Sequence, residues 1–192
     1  MKSRDVSSSI DRDGWLSAAR RIASPNFDER PEGVAISLLV VHAISLPPGD
    51  FGSDDIVRLF TNTLDPAAHP YFAAISGQRV SAHFLIRRDG ALIQFVSCRQ
   101  RAWHAGRSSW QGRERCNDFS IGVELEGCDE LPFESAQYAR LLELIESLRT
   151  RYPIDVVIGH SDIAPGRKTD PGPCFDWRRL APLGSLLAPG RG

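Results

Sequence analysis

The stretch SLLVVHAI, residues 37–44, constrains the fold more than any other segment of this chain. Leucines and β-branched residues follow one another almost without polar interruption, so a strand built from them has no face to offer to water. Such a strand belongs in the middle of a sheet covered on both sides. His42 breaks the run near its C-terminal end, and the carboxyl ends of strands are where open α/β sheets gather functional groups. The run is far shorter than the roughly 20 apolar residues that span a bilayer.

Three other segments predict its neighbours. AHFLIRRDGALIQFVS, 82–97, sets two apolar pieces around Arg88-Asp89-Gly90, and Asp-Gly in that position signals an antiparallel hairpin. FSIGVELEG, 119–127, alternates strictly, which predicts a strand with Phe119, Ile121, Val123 and Leu125 packed and Ser120, Gly122, Glu124 and Glu126 on the other face. DVVIG, 155–159, reads as a short strand that hands His160 to a loop. Between the last two, Tyr138, Leu141, Leu142, Ile145 and Leu148 recur at helical spacing from about Glu134 or Ser135 until Pro153 stops the helix. Strands separated by helices, with one hairpin, predict an α/β or α+β fold: a mixed central sheet flanked by helices.

A chain of 192 residues fits a single domain. We expect that domain at 14–182, with residues 1–13 a flexible N-terminal tail and 183–192 a C-terminal tail. The net charge of -1 and the scattered arginine pairs, such as Arg20-Arg21 and Arg178-Arg179, provide no basic stripe for nucleic acid or an anionic membrane. The opening MKSRDVSSSIDRDGWLSAARR carries charges where an export signal needs an apolar run, so the expected location is cytoplasmic. Cys98, Cys116, Cys128 and Cys174 form no CxxC pair and are expected as reduced thiols.

The chemistry concentrates in GHSDIAPGRKTDPG, 159–172, which holds His160, Lys168 and Asp170; Lys168 is one of two lysines against 21 arginines. A catalytic zinc site takes three protein ligands and keeps a fourth position open. His160 and Asp170 can supply two, and His42 can supply the third if two strand ends converge. Two neutral imidazoles and one carboxylate leave the ion net positive, hence a Lewis acid that lowers the pKa of water from roughly 15.7 to about 7. Lys168 is either a solvated loop side chain or a point charge for a developing oxyanion. Glu124 and Glu126 share a strand face, and either can act as a base. Cys174, four residues beyond Asp170, is a rival ligand. His69 and His83 read as hydrogen-bonded or surface histidines; the role of His104, in AWHAG, stays open.

Taken together, RPEG…SLLVVHAISLPPGDFG, SAHFLIRRDG, RAWHAG, GRERCNDFSIGVELEG and GHSDIAPGRKTDPGPCFDW resemble the cytosolic 1,6-anhydro-N-acetylmuramyl-L-alanine amidases, a branch of the type 2 N-acetylmuramoyl-L-alanine amidases. The resemblance runs from about Trp15 to Leu180. It implies a peptidoglycan-recognition-like fold with one zinc ion in a groove, bound by His42, His160 and Asp170. It further implies Glu124, not Glu126, as general base and acid, and Lys168 as the group stabilising the oxyanion. Tyr71, Arg79, Trp103, Arg115 and Leu125 match residues that line the groove, where flat and apolar surfaces suit an anhydro sugar and guanidinium groups suit peptide carboxylates. The implied substrate is a 1,6-anhydro-muropeptide, hydrolysed by a monomer during cell-wall recycling. Three positions depart from relatives: Ala82 and Asp170 stand where amidases outside this branch often carry a tyrosine and a cysteine, and Ala43 stands where close relatives often have an asparagine after the first metal histidine.

Overall fold

A computed structural model describes residues 9–188. In chain order its elements are β1 (Arg20–Arg21), β2 (Phe27–Glu29), β3 (Leu38–Ile44), α1 (Asp55–Phe60), α2 (Pro70–Ala74), β4 (Phe84–Ile86) and β5 (Leu92–Gln94). There follow β6 (Gln100–Ala102), β7 (Ser109–Trp110), β8 (Arg113–Glu114), β9 (Ser120–Glu126), α3 (Ser135–Arg149), β10 (Val156–Gly159) and α4 (His160–Ile163), with a 3-10 segment at Trp177–Leu186. Six strands form one sheet in the order β1-β5-β4-β9-β3-β10. The hairpin partners β4 and β5 are antiparallel, while β4, β9, β3 and β10 run parallel, so the sheet is mixed as the sequence predicts. Among the described residues no helix is long and apolar enough to cross a membrane.

The apolar run behaves as its composition demands. Residues 38–42 of β3 are all buried, and the strand sits between β9 and β10. Leu39 and Val41 share one face with Ile121, Val123 and Leu125, packed against Leu141, Leu144, Ile145 and Leu148 of α3 and against Trp177 and Leu180. Gln137 fastens that helix to the sheet: its Nε2 donates to the Glu126 carbonyl at 3.0 Å, and its Oε1 accepts the Glu134 N–H at 2.9 Å, satisfying a donor at the start of the helix.

The opposite face is not the wet surface that the alternation of 119–127 suggests. Every residue of β9 is buried. On this side Leu38, Val40 and Ile158 pack with Ala105, Cys116, Phe119 and Ile163. Leu85 and Ile93 pack with Ile56, Phe60, Phe72 and Phe95. Between these two apolar clusters β9 contributes Ser120, Gly122 and Glu124, so the second layer has a polar seam. Glu126 is covered as well; it accepts the Gly52 N–H at 2.7 Å and the Arg88 N–H at 3.2 Å.

Parts of both expected tails belong to the domain. Ile10 bridges Leu16 and packs on the core, and the Asp13 carbonyl accepts from Ser97 Oγ at 2.5 Å. Leu186, Leu187 and Ala188 are buried, and Leu187 bridges Val157 on the outer edge of β10. The expectations for residues 1–8 and 189–192 lie outside the described residues.

Candidate metal centre and groove

Three adjacent parallel strands end at the site. His42 in β3 stands directly opposite Glu124 in β9, and Gly159 of β10 is level with Val41, so His160 emerges level with His42. Parallel pairing therefore places His160, His42 and Glu124 in a row at the carboxyl ends of β10, β3 and β9. Asp170 arrives from the loop after α4. That loop is folded back by the Ser161 N–H, which donates to the Asp170 carbonyl at 2.9 Å, and the Asp162 carboxylate accepts the Gly159 N–H at 2.8 Å where the strand gives way to the helix.

The donor atoms form a small triangle. His42 Nδ1 is 3.0 Å from His160 Nδ1 and 3.1 Å from Asp170 Oδ2, and His160 Nδ1 is 3.0 Å from the same oxygen. Among the described residues these three side chains form a group able to hold a metal ion, and Cys174 is not part of it. His160 Nε2 lies 3.2 Å from the Ala105 carbonyl, which can only accept, so in the neutral ring Nδ1 is left as a bare lone pair facing the triangle. Burial lowers the His42 imidazole to about 4, against the opposing pull of Asp170, so it is neutral near pH 7. Burial works against the Asp170 charge, but the adjoining His160 and His42 rings overcompensate and hold its carboxyl well below the usual carboxylate range. Two imidazole nitrogens and an ionised carboxylate at this spacing fit a small divalent cation, and the set suits zinc.

Glu124 stands beside this triangle with an unusual environment. Its side chain is buried, and Oε2 has no hydrogen-bond partner among the described residues. Burial, reinforced by the negative charge of Asp170 and opposed by Lys168, pushes its carboxyl well above the usual range. A carboxylate in that state has a high affinity for a proton. Lys168 lines the same groove, and its charge acts on both His42 and Glu124.

The groove has a volume of about 520 Å³, with Ala43, Tyr71 and Trp103 among its lining residues. Ser81 sets the Trp103 backbone, accepting its N–H at 3.0 Å and donating its own hydroxyl to the Asn26 carbonyl at 2.6 Å. Of the residues singled out in the sequence, the groove brings together His42, Glu124, His160, Lys168, Asp170, Tyr71 and Trp103. Arg79 lines a separate small pocket beside Gln78. Arg115 lies in a neighbouring pocket with Arg107 and Arg167, ion-paired to Asp118 at 3.2 Å. Leu125 corrects the expectation of a groove wall: it has no exposed surface and packs beneath α3, because one step along a strand from Glu124 reverses the face.

Sequence reasoning left the role of His104 open and did not single out Arg167. His104 is buried, and its Nδ1 sits 2.9 Å from His42 Nε2. Arg167 donates to the Ala105 carbonyl at 2.7 Å, the carbonyl that also faces His160. The available signal for His104 was the small residue Gly122 on the polar face of β9, since a Cβ there would overlap the His104 ring. His83 and His69 have structural roles. His83 Nδ1 accepts the Gly122 N–H at 3.1 Å, and His69 Nδ1 accepts the Tyr71 N–H at 3.1 Å at the start of α2.

Comparison with known proteins agrees with this geometry. The family model for N-acetylmuramoyl-L-alanine amidase matches residues 32–173. The chain is 60% identical over 173 residues to the 1,6-anhydro-N-acetylmuramyl-L-alanine amidase AmpD of Citrobacter freundii, covering 89% of this chain and 92% of that one. The crystal structure of a selenomethionine derivative of AmpD superposes with a TM-score of 0.87 at 61% identity, covering 89% of this chain and 97% of the other. AmiD from Escherichia coli, in complex with the substrate anhydro-N-acetylmuramic acid-L-Ala-D-gamma-Glu-L-Lys, superposes with a TM-score of 0.58 at 32% identity, covering 91% of this chain and 65% of that one. With a matched family model over most of its length and this degree of identity, the chain belongs to the N-acetylmuramoyl-L-alanine amidase family.

Proposed function

We propose that this protein hydrolyses the amide bond between 1,6-anhydro-N-acetylmuramic acid and the L-alanine of a muropeptide, as a zinc-dependent amidase of peptidoglycan recycling. The observation that carries the reading is the convergence of His42, His160 and Asp170 beside the buried Glu124 carboxylate, whose Oε2 has no partner among the described residues, in one groove. High identity to AmpD over nearly the full length of both chains supports the choice of substrate.

A zinc ion held by His42, His160 and Asp170 would supply Lewis acidity to water and to the amide carbonyl. The protein's own groups carry the rest. Glu124 accepts the proton of the attacking water, for which its raised proton affinity suits it, and delivers that proton to the departing alanine nitrogen. The Lys168 ammonium stabilises charge developing on the carbonyl oxygen. Tyr71 and Trp103 offer flat surfaces to the sugar, and the neighbouring pocket, which shares Arg167 with the groove, offers the guanidinium groups of Arg107 and Arg115 to stem-peptide carboxylates.

We place the reaction in the cytosol, a compartment that suits four free thiols. A monomer suffices, because every group named comes from one chain. Incubating the purified protein with a soluble anhydromuropeptide and identifying products by mass spectrometry tests the proposal. Release of anhydro-N-acetylmuramic acid and an intact stem peptide, abolished by a chelator and restored by zinc, is the expected result. Bound but uncut ligand would make the protein a recognition module, and equal cleavage of intact sacculi would reject the substrate assignment.

A further inference from the structure

The proton positions behind His42 are determined by a chain of hydrogen bonds that can run in one direction only. It begins at the Cys116 carbonyl, which has no proton to give. Ser120 Oγ lies 2.6 Å from that oxygen, so its single hydroxyl proton points there. Ser120 can then only accept from His104 Nε2, 3.2 Å away. A neutral His104 ring with its proton on Nε2 has a bare Nδ1. That bare nitrogen, 2.9 Å from His42 Nε2, must receive the His42 proton.

We propose that His104, anchored by Ser120, is a positioning residue that fixes His42 as its Nε2–H tautomer and so commits the His42 Nδ1 lone pair to the metal. Strand β9 is built for this task at alternate positions of one face. Ser120 orients His104, Gly122 leaves the room that its ring occupies, and Glu124 faces the groove. The ring pair is geometrically defined too: the His42 and His104 centroids are 5.0 Å apart with planes at 84°. Outer partners of metal histidines commonly set tautomer and orientation, and their loss typically costs about 10- to 100-fold in affinity.

This inference rests on His42 being a metal ligand, and the experiment separates the two. Zinc affinity is measured at one pH by competition with a chromogenic chelator. His104→Phe, which keeps an aromatic ring but removes both nitrogens, is expected to weaken binding by about 10- to 100-fold. His104→Asn, whose amide oxygen can stand where Nδ1 stood, is expected to recover most of that loss, and Ser120→Ala to show a smaller loss. Long-range proton–nitrogen spectra of the zinc-loaded wild type are expected to place the protons of both His42 and His104 on Nε2. Unchanged affinity in a folded His104→Phe protein, or a proton on His42 Nδ1 in the wild type, would overturn the inference. If His104→Phe does not fold, the wild-type spectra together with Ser120→Ala and His104→Asn decide. Absence of zinc binding by the wild type defeats the metal reading itself, a different outcome from tight binding that ignores His104.

Discussion

At the scale of single residues, the site depends on which groups keep and which refuse a proton. Glu124→Gln preserves shape but cannot accept a proton, so turnover should fall by roughly 100-fold or more. Zinc content should stay near that of the wild type; steady-state kinetics with metal analysis checks both, and undiminished turnover removes Glu124 from the mechanism. His83 supplies a separate test on stability. Burial, aided by the Arg30 charge, lowers its pKa to about 3. In the unfolded chain an imidazole titrates near 6.5, so as pH falls the unfolded state takes up a proton that the native state refuses. The contribution of this group is therefore complete above about 6.5 and declines as pH falls toward about 3, at up to about 1.4 kcal/mol per unit. Denaturant titrations between these limits should show a flatter dependence in His83→Asn, which retains an acceptor for the Gly122 N–H; identical slopes would refute the assignment. His42, His160 and Asp170 were legible in the sequence because each terminates or follows an apolar strand or sits in a loop of marked composition. His104 was not, since its meaning lies in partners 16 and 62 positions away.

At the scale of elements, the legible parts were those with a long periodic signal. The run 37–44, the Asp-Gly hairpin and the 15-residue α3 all formed where expected. Short pieces such as α1, α2 and β6 carried too few residues for a period to register, and they build much of the layer that turns one face of β9 into an interior. Alternation separated the two faces correctly along 120–126, but Phe119, which precedes the strand, packs with Leu38 and Val40 on the second side rather than with Ile121. Nor could alternation say that this second face was covered, because what covers it comes from distant segments. The same separation yields a prediction for α3. Leu141 is fully buried on the face away from the groove. Leu141→Ala should lower stability by about 2–5 kcal/mol through the cavity it leaves. kcat and KM at a permissive temperature should barely change; a large kinetic effect with little loss of stability would show that the two layers are not independent.

At the scale of the whole molecule, a cation bound only by the native state is linked to folding. Free zinc at about 1,000 times its dissociation constant stabilises by about 4 kcal/mol, on the order of 10 °C in Tm for a domain of this size. Calorimetry with and without chelator should show that difference, and the His42→Ala protein should show none of it. Equal melting of the two wild-type samples would mean that the triangle holds no ion. The row of strand ends at β10, β3 and β9 also has a consequence for the order in which the protein comes into being. His42 precedes His160 by 118 positions and Asp170 by 128, and the strand leading to those two lies at the border of the sheet. A nascent chain that has not yet reached β10 has one of the three side chains that form the group. The triangle of His42, His160 and Asp170 thus waits until β10 has been made and has paired with β3.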